Sequence, residues 1–190
     1  MSGPANLRPR LAIVTGPPAA GKTTLASELG SRLVVPVLSK DLIKEALIGS
    51  LGVQTLAESQ RLGRAAYTVL FAVASELLGS GISLLLEVPL IRGVSDSDVQ
   101  RLTDLATSAL IVCIAPPEVI VERYRIRANS HTRHSGHMDQ ARSQMLRMPP
   151  FKEPEVDVPR LHVDTSEGYR PSLPEIVDWL RHAWAFRRAR

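Results

Sequence analysis

The sequence predicts a parallel α/β domain, with helices covering both faces of one sheet. Three observations carry this. Short runs rich in Val, Ile and Leu alternate with longer amphipathic stretches. Several of the short runs are apolar at consecutive positions, as strands buried on both faces should be. The first run ends in a glycine-bounded loop followed by a helical pattern.

The elements follow in order. The first strand is "RLAIVT", Arg10 to Thr15. A helix begins near Lys22. The second strand is "VPVLS", Val35 to Ser39, and a helix starts at its end in "SKDLIKEAL". A longer amphipathic segment runs from about Thr55 to Leu78 and closes on the glycines of "LLGSGI", as a helix C-terminus should. The third strand is "ISLLLEV", Ile82 to Val88. The next helix begins near Ser95, where "SDSDVQRL" offers Ser and Asp as N-caps. The fourth strand is "ALIVCI", Ala109 to Ile114, with a helix from about Pro117. The stretch "MLRMPPFKEPEVDVPR" is proline-rich and reads as irregular surface chain. The fifth strand is "RLHVD", Arg160 to Asp164. The last helix starts near Ser172, and Glu175 three residues on gives a capping-box spacing.

The chain has 190 residues, 44% of them hydrophobic. That suffices for one core, so residues 1–190 are read as a single domain. No apolar run approaches the roughly 20 residues that cross a bilayer. The opening "MSGPANLRPR" lacks the apolar core of a secretion signal, so cytoplasmic residence is expected. Cys113, the single cysteine, lies in "ALIVCIA" and reads as a small buried hydrophobe. The net charge of +4 is modest, and the basic "RHAWAFRRAR" reads as a solvated helix end.

"GPPAAGKT" fits G-x-x-x-x-G-K-[ST] at Gly16, Gly21, Lys22 and Thr23. A strand before it and a helix after it complete the context of a phosphate-binding loop. Pro17 and Pro18 lack N–H groups, so Ala19, Ala20, Gly21, Lys22, Thr23 and Thr24 are left to offer backbone amides to phosphate. Lys22 is expected to reach the β/γ oxygens of ATP, and Thr23 to hold Mg²⁺.

A GTPase would need an Asn-Lys-x-Asp element, and none is present. A mechanical ATPase usually adds domains for which there is no room. A kinase needs a group that orients an acceptor hydroxyl and cations that neutralise the moving phosphoryl group. Asp41 follows the second strand, on the rim where parallel sheets bind ligands. It is read as proton acceptor, the other reading being a helix N-cap beside Ser39. Glu87 ends the third strand, where a charge is costly unless used or exposed. It could hold Mg²⁺ through water, contact the acceptor, or replace Asp41 as base. Arg92, in the same loop, is a candidate acceptor contact. Arg123 and Arg127 share a helical face, and Arg133 lies in a polar lid-like segment at about 128–148. His131, His134 and His137 look like metal ligands, but without cysteine partners in so polar a loop they read as solvated.

On "GPPAAGKTT", "SKDLIKEAL", "ERYRIRAN" with "RHSGHMD", and "HVDTSEG", the chain resembles the small P-loop kinases that include chloramphenicol phosphotransferase, gluconate kinase, zeta toxins and the kinase domain of polynucleotide kinase. The resemblance implies a five-stranded parallel sheet in the order 2-3-1-4-5 with an Arg-bearing lid. It implies transfer of the γ-phosphate of ATP to a hydroxyl, with Mg²⁺. Asp41 matches the acid that activates or orients the acceptor. Arg123 and Arg127 match arginines that contact phosphate or flank adenine, with Arg133 beyond them in the lid. The segment from Asp164 to Gly168, with Thr165, matches the loop beside the adenine. Glu87 followed by Val-Pro fits no one member's pattern, so the acceptor does not carry over.

The leading expectation is a kinase for a small hydroxyl compound such as an antibiotic, sugar or nucleoside. The second is a polynucleotide 5′-hydroxyl kinase, against which the 4% aromatic content counts, since bases need stacking partners. The third is an ATP-binding regulatory module without transfer activity. Asp41 and the arginines speak against it.

Overall fold

The computed structural model describes residues 8–129 and 151–185, with backbone alone for 127–129. The elements are β1 (Arg10–Thr15), α1 (Lys22–Leu33), β2 (Val37–Ser39), α2 (Lys40–Leu51), α3 (Leu56–Gly79), β3 (Leu84–Glu87), α4 (Asp96–Leu105), β4 (Thr107–Ile114), α5 (Pro117–Asn129), β5 (Arg160–Asp164) and α6 (Leu173–Ala185). The strands form one sheet in the order β2-β3-β1-β4-β5. Every pairing is parallel, as the consecutive apolar runs predicted.

The period of two along each strand divides the core. Leu11 and Ile13 of β1 face Leu70, Phe71 and Ala74 of α3 and Leu102 of α4. Ala12 and Val14 face the other way, toward Leu25 and Leu29 of α1 and Ile176 and Leu180 of α6. Each fully buried Leu or Ile contributes about 1.5–3 kcal/mol of transfer free energy.

Helix ends follow local chemistry. Thr55 and Glu58 form a reciprocal capping box at the start of α3. Ser172 donates both its N–H and its hydroxyl to Glu175 Oε2 before α6, so that box is half formed. Ser95 caps α4 by position only and makes no side-chain cap bond. Among the described residues α3 alone is long and apolar enough, by length and composition, to cross a bilayer, contrary to the expectation that no stretch would be. In this fold Leu62, Ala66, Leu70, Ala74 and Leu78 bury one side of it.

Several boundaries differ from the sequence reading. β2 begins at Val37 rather than Val35, and β3 at Leu84 rather than Ile82. Ile82 is partly exposed, so apolar character extended past the paired segment. β4 begins two residues earlier, at Thr107, because Arg10 and Thr107 pair across β1 and β4. The proline-rich stretch is not wholly surface. Val156 is buried in the α3-side core, and Phe151 and Val158 pack against it.

Candidate active site

The loop between β1 and α1 is shaped by backbone that only glycine adopts at low cost. Gly16 has φ 143° and Gly21 φ 74°. A Cβ on Gly16 would lie 2.3 Å from the Cys113 carbonyl oxygen on β4. Ala19 also has positive φ, at 61°. It is buried against Ile120 and Tyr124 of α5, so packing holds the unusual conformation in place. Gly21 caps α1 without a side chain. The first amides of α1 therefore have no side-chain acceptor at the cap, as an anion site at a helix start requires.

Lys22 is buried, and its Nζ donates to Pro17 O at 2.7 Å. The ammonium thus lies folded over the loop that would hold phosphate. Thr23 and Thr24 are exposed at the start of α1. Cys113 is fully buried behind the loop, and burial pushes its thiol up to about 12, as expected for an inert small hydrophobe.

The two carboxylates stand at neighbouring strand ends. Ser39 and Glu87 are register partners across β2 and β3, and Glu87 also pairs with Val14 of β1. Glu87 is 3% exposed, and its Oε2 accepts from Ser39 Oγ at 2.6 Å. Burial raises its carboxyl above the ordinary range. The Ser39 hydrogen bond and the Lys22 charge oppose that, and Asp41 adds to it. Asp41 lies in the first turn of α2, where the backbone dipole favours an anion. Its side chain is 33% exposed, with Lys40 Nζ 3.3 Å from Oδ1. The cap of α2 is Ser39, which accepts from Leu42 N, so Asp41 does not serve as the N-cap.

A groove of about 500 Å³ opens between α1 and α2. Thr23, Ser39, Asp41 and Glu87 line it at the phosphate-loop end. It continues past Ala26 and Ser27, with Leu42 and Glu45 on the α2 side, to Gly30, Ser31 and Val35. The structure thus brings Thr23, Asp41 and Glu87 to one cavity.

Other candidates are placed differently. Arg92 is on an exposed loop, ion-paired with Glu155, and does not line the groove. Its expected acceptor contact is not what this geometry provides. Arg123 is committed to the loop after β5. It donates to Thr165 Oγ1 at 3.3 Å, Thr165 O at 2.5 Å and Ser166 O at 3.0 Å. Thr165 Oγ1 in turn lies 3.1 Å from Ala20 O and 3.2 Å from Ile114 O, its one proton serving either carbonyl. Arg123 and Thr165 therefore brace the phosphate loop from the β5 side. The side chain of Arg127, all of Arg133, the lid expected at 128–148 except its first backbone positions, and His131, His134 and His137 lie outside the described residues. Among the described residues no group of three His, Cys, Asp or Glu is placed to hold a metal ion.

Two groove residues, Ser39 and Glu45, and one buried lysine beside them, Lys44, were not singled out for a role from the sequence. Ser39 was weighed only as a cap, although its strand-end position beside Glu87 was readable once strands were ordered. Glu45, four residues after Asp41, shares its helix face. Lys44 is fully buried between α2 and α3 and donates to Ser59 Oγ at 2.8 Å. Its signal was a charge in the same stripe as Ile48.

The fold and the loop define a nucleotide-binding P-loop protein of the kinase type. The chain belongs to the AAA_33 family, described as an AAA domain, whose model matches residues 11–150. A Chloroflexus aurantiacus J-10-fl structure with a provisional kinase description is 34% identical, with TM-score 0.82, over 93% of this chain and 98% of that one. The Mycobacterium tuberculosis APS kinase CysC, in complex with AMPPNP and APS, shares the fold at 19% identity and TM-score 0.56, over 94% and 99% of the two chains. A Sinorhizobium meliloti 1021 gluconokinase does so at 17% and 0.51, over 94% and 93%. Comparison with curated proteins finds no match.

Proposed function

We propose that the protein is an ATP-dependent kinase that phosphorylates a hydroxyl of a small molecule. One observation carries this reading. The cavity that starts at the phosphate loop is lined by both carboxylates at neighbouring strand ends. A hydrolase or a regulatory ATP-binding module has no need for a carboxylate-lined groove beside the phosphate loop. Nucleic acid would need several cations along a track. Among the described residues that line the groove there is no Lys or Arg.

The residues present suit Mg²⁺–ATP. The glycine cradle and the uncapped start of α1 offer amides to the phosphates, and Lys22, whose Nζ donates to Pro17 O, extends its ammonium over the same loop. The Thr23 hydroxyl is a hard oxygen ligand suited to Mg²⁺, and Glu87 would help to hold the ion through water. Bound there, Mg²⁺ would neutralise charge on the phosphates. The acceptor oxygen, positioned by Asp41, forms a bond to the γ-phosphorus. The bond from that phosphorus to the β–γ bridging oxygen breaks, and ADP leaves. The acceptor proton passes to Asp41. Lys22 stabilises charge on the transferring group.

Transfer from labelled ATP to a panel of metabolites and antibiotics, beside 5′-hydroxyl oligonucleotides, tests this. A labelled small molecule is expected. Label on oligonucleotides alone, lost at moderate salt, would replace this reading with the polynucleotide kinase one.

A further inference from the structure

We propose that Ser39 is a positioning residue: its hydroxyl fixes the Glu87 carboxylate in the place from which that carboxylate would hold Mg²⁺ through water. This rests on the Mg²⁺–ATP part of the kinase reading above, which leaves Ser39 without a role.

Glu87 ends β3 and is almost fully buried. Ser39 Oγ donates to its Oε2 at 2.6 Å, the length of a hydroxyl bonded to a carboxylate. Among the described residues Ser39 is the one hydrogen-bond donor to this group. Lys22 and Lys40 act on it by charge. Charge draws a carboxylate without setting its plane, and a glutamate side chain turns about several bonds between staggered positions. A short bond to one oxygen removes that freedom before a metal arrives. Partners of this kind, one bond behind a metal's own contacts, orient the groups that hold it.

The place of Ser39 is itself determined twice. It is the register partner of Glu87 in the parallel β2–β3 ladder, so the two backbones are adjacent. Its hydroxyl also accepts from Leu42 N as the N-cap of α2. The helix amide uses a lone pair, and the single hydroxyl proton goes to Glu87. Thr23, the candidate metal ligand, lines the same end of the groove as Ser39 and Glu87. Capping α2 and orienting Glu87 are chemically separable, because a cap needs only an acceptor or a permissive backbone while Glu87 needs the proton.

Calorimetry of AMP-PNP binding, in Mg²⁺ and in EDTA, tests this on wild type, Ser39→Ala, Ser39→Gly and Ser39→Thr. The metal should tighten binding to wild type. In Ser39→Ala and Ser39→Gly that tightening should shrink about tenfold, the scale for removing a partner behind a metal contact. Affinity in EDTA should be unchanged. Glycine serves a helix cap nearly as well as serine, so a role confined to capping would leave Ser39→Gly like wild type. Ser39→Thr keeps the hydroxyl and should restore the metal effect. A metal effect intact in Ser39→Gly, equal losses in Mg²⁺ and EDTA, no rescue by threonine, or no metal effect in wild type would overturn the assignment. These affinities involve no transfer, so the labelled-ATP panel judges the kinase reading separately. The expected pattern without any phosphorylated acceptor supports the role of Ser39 and counts against the kinase reading. A phosphorylated acceptor with the metal effect intact in Ser39→Gly overturns the role of Ser39 and leaves the kinase reading standing.

Discussion

Ser39 Oγ donates a 2.6 Å hydrogen bond to Glu87 Oε2 across the β2–β3 register pair. The bond joins the ends of two strands and satisfies one oxygen of a nearly enclosed carboxylate. It does not cancel the cost of enclosure, since burial remains the largest influence on Glu87 and raises its pKa.

That has a consequence for stability. The ordinary value for this carboxyl is 4.5, and folding raises it. Between the two values the folded chain keeps a proton that the unfolded chain has released. Glu87 therefore favours folding below 4.5, and that contribution is lost as pH rises through the folded value. Glu87→Gln should be at least as stable as wild type at neutral pH, with the advantage vanishing in acid. Urea unfolding at both pH values checks this. A variant less stable at neutral pH would show that the ionised carboxylate is a net asset to the fold.

Gly16→Ala should cost about 3 kcal/mol or more, because the added Cβ meets a backbone oxygen at positive φ. Gly21→Ala, with its nearest neighbour the Thr165 side chain at 3.3 Å, should cost about 1–2 kcal/mol. Thermal unfolding of both gives the order. Equal losses would mean that the Cys113 contact yields easily.

Lys22→Ala should lower transfer by about 10³-fold, since charge at the transferring group is no longer stabilised. Thr23→Ala should chiefly weaken productive Mg²⁺–ATP binding. Steady-state kinetics with varied Mg²⁺ separates the two, and near-normal turnover in both would remove the loop from the chemistry.

Asp41→Asn should leave ATP affinity unchanged and lower kcat by about 10²-fold, the scale of a positioned proton acceptor. Titration with a fluorescent ATP analogue beside turnover reads both quantities. Collapse of ATP binding with normal turnover per bound nucleotide would make Asp41 structural. A large loss in Glu87→Gln alone would move the base to β3.

Thr165→Val keeps the shape but removes the hydroxyl between Arg123 and the Ala20 carbonyl. ATP affinity should fall about tenfold, the worth of roughly one buried hydrogen bond, and Thr165→Ser should restore most of it. Unchanged affinity in the valine variant would show that the loop holds its form without this brace.

The sheet was legible because its apolar runs are long and its strand–loop–helix signature is local. Lys22, Thr23 and Asp41 were legible for the same reason: each sits at a fixed offset from a strand end. The partners of Arg92 and Arg123 were not legible, because a sequence does not say which carboxylate or carbonyl an arginine meets. Glu155 lies 63 positions beyond Arg92 in numbering, and Thr165 lies 42 beyond Arg123. Burial of Lys44 was equally out of reach, since its place depends on how α2 docks on α3 rather than on either helix alone.

The sheet separates two layers that share few side chains. Leu25, Leu29 and Ile176, beneath the phosphate loop, belong to one, while Leu70 and Phe71 of α3 belong to the other. Substitutions in separate layers with no common neighbour combine nearly additively. Segments of α2 and α3 can thus diverge, or be exchanged between relatives, with the nucleotide foundation undisturbed. A chimera carrying another family member's Lys40–Gly79 would change the α2 wall of the groove while the α1 wall and the phosphate loop stayed this chain's own.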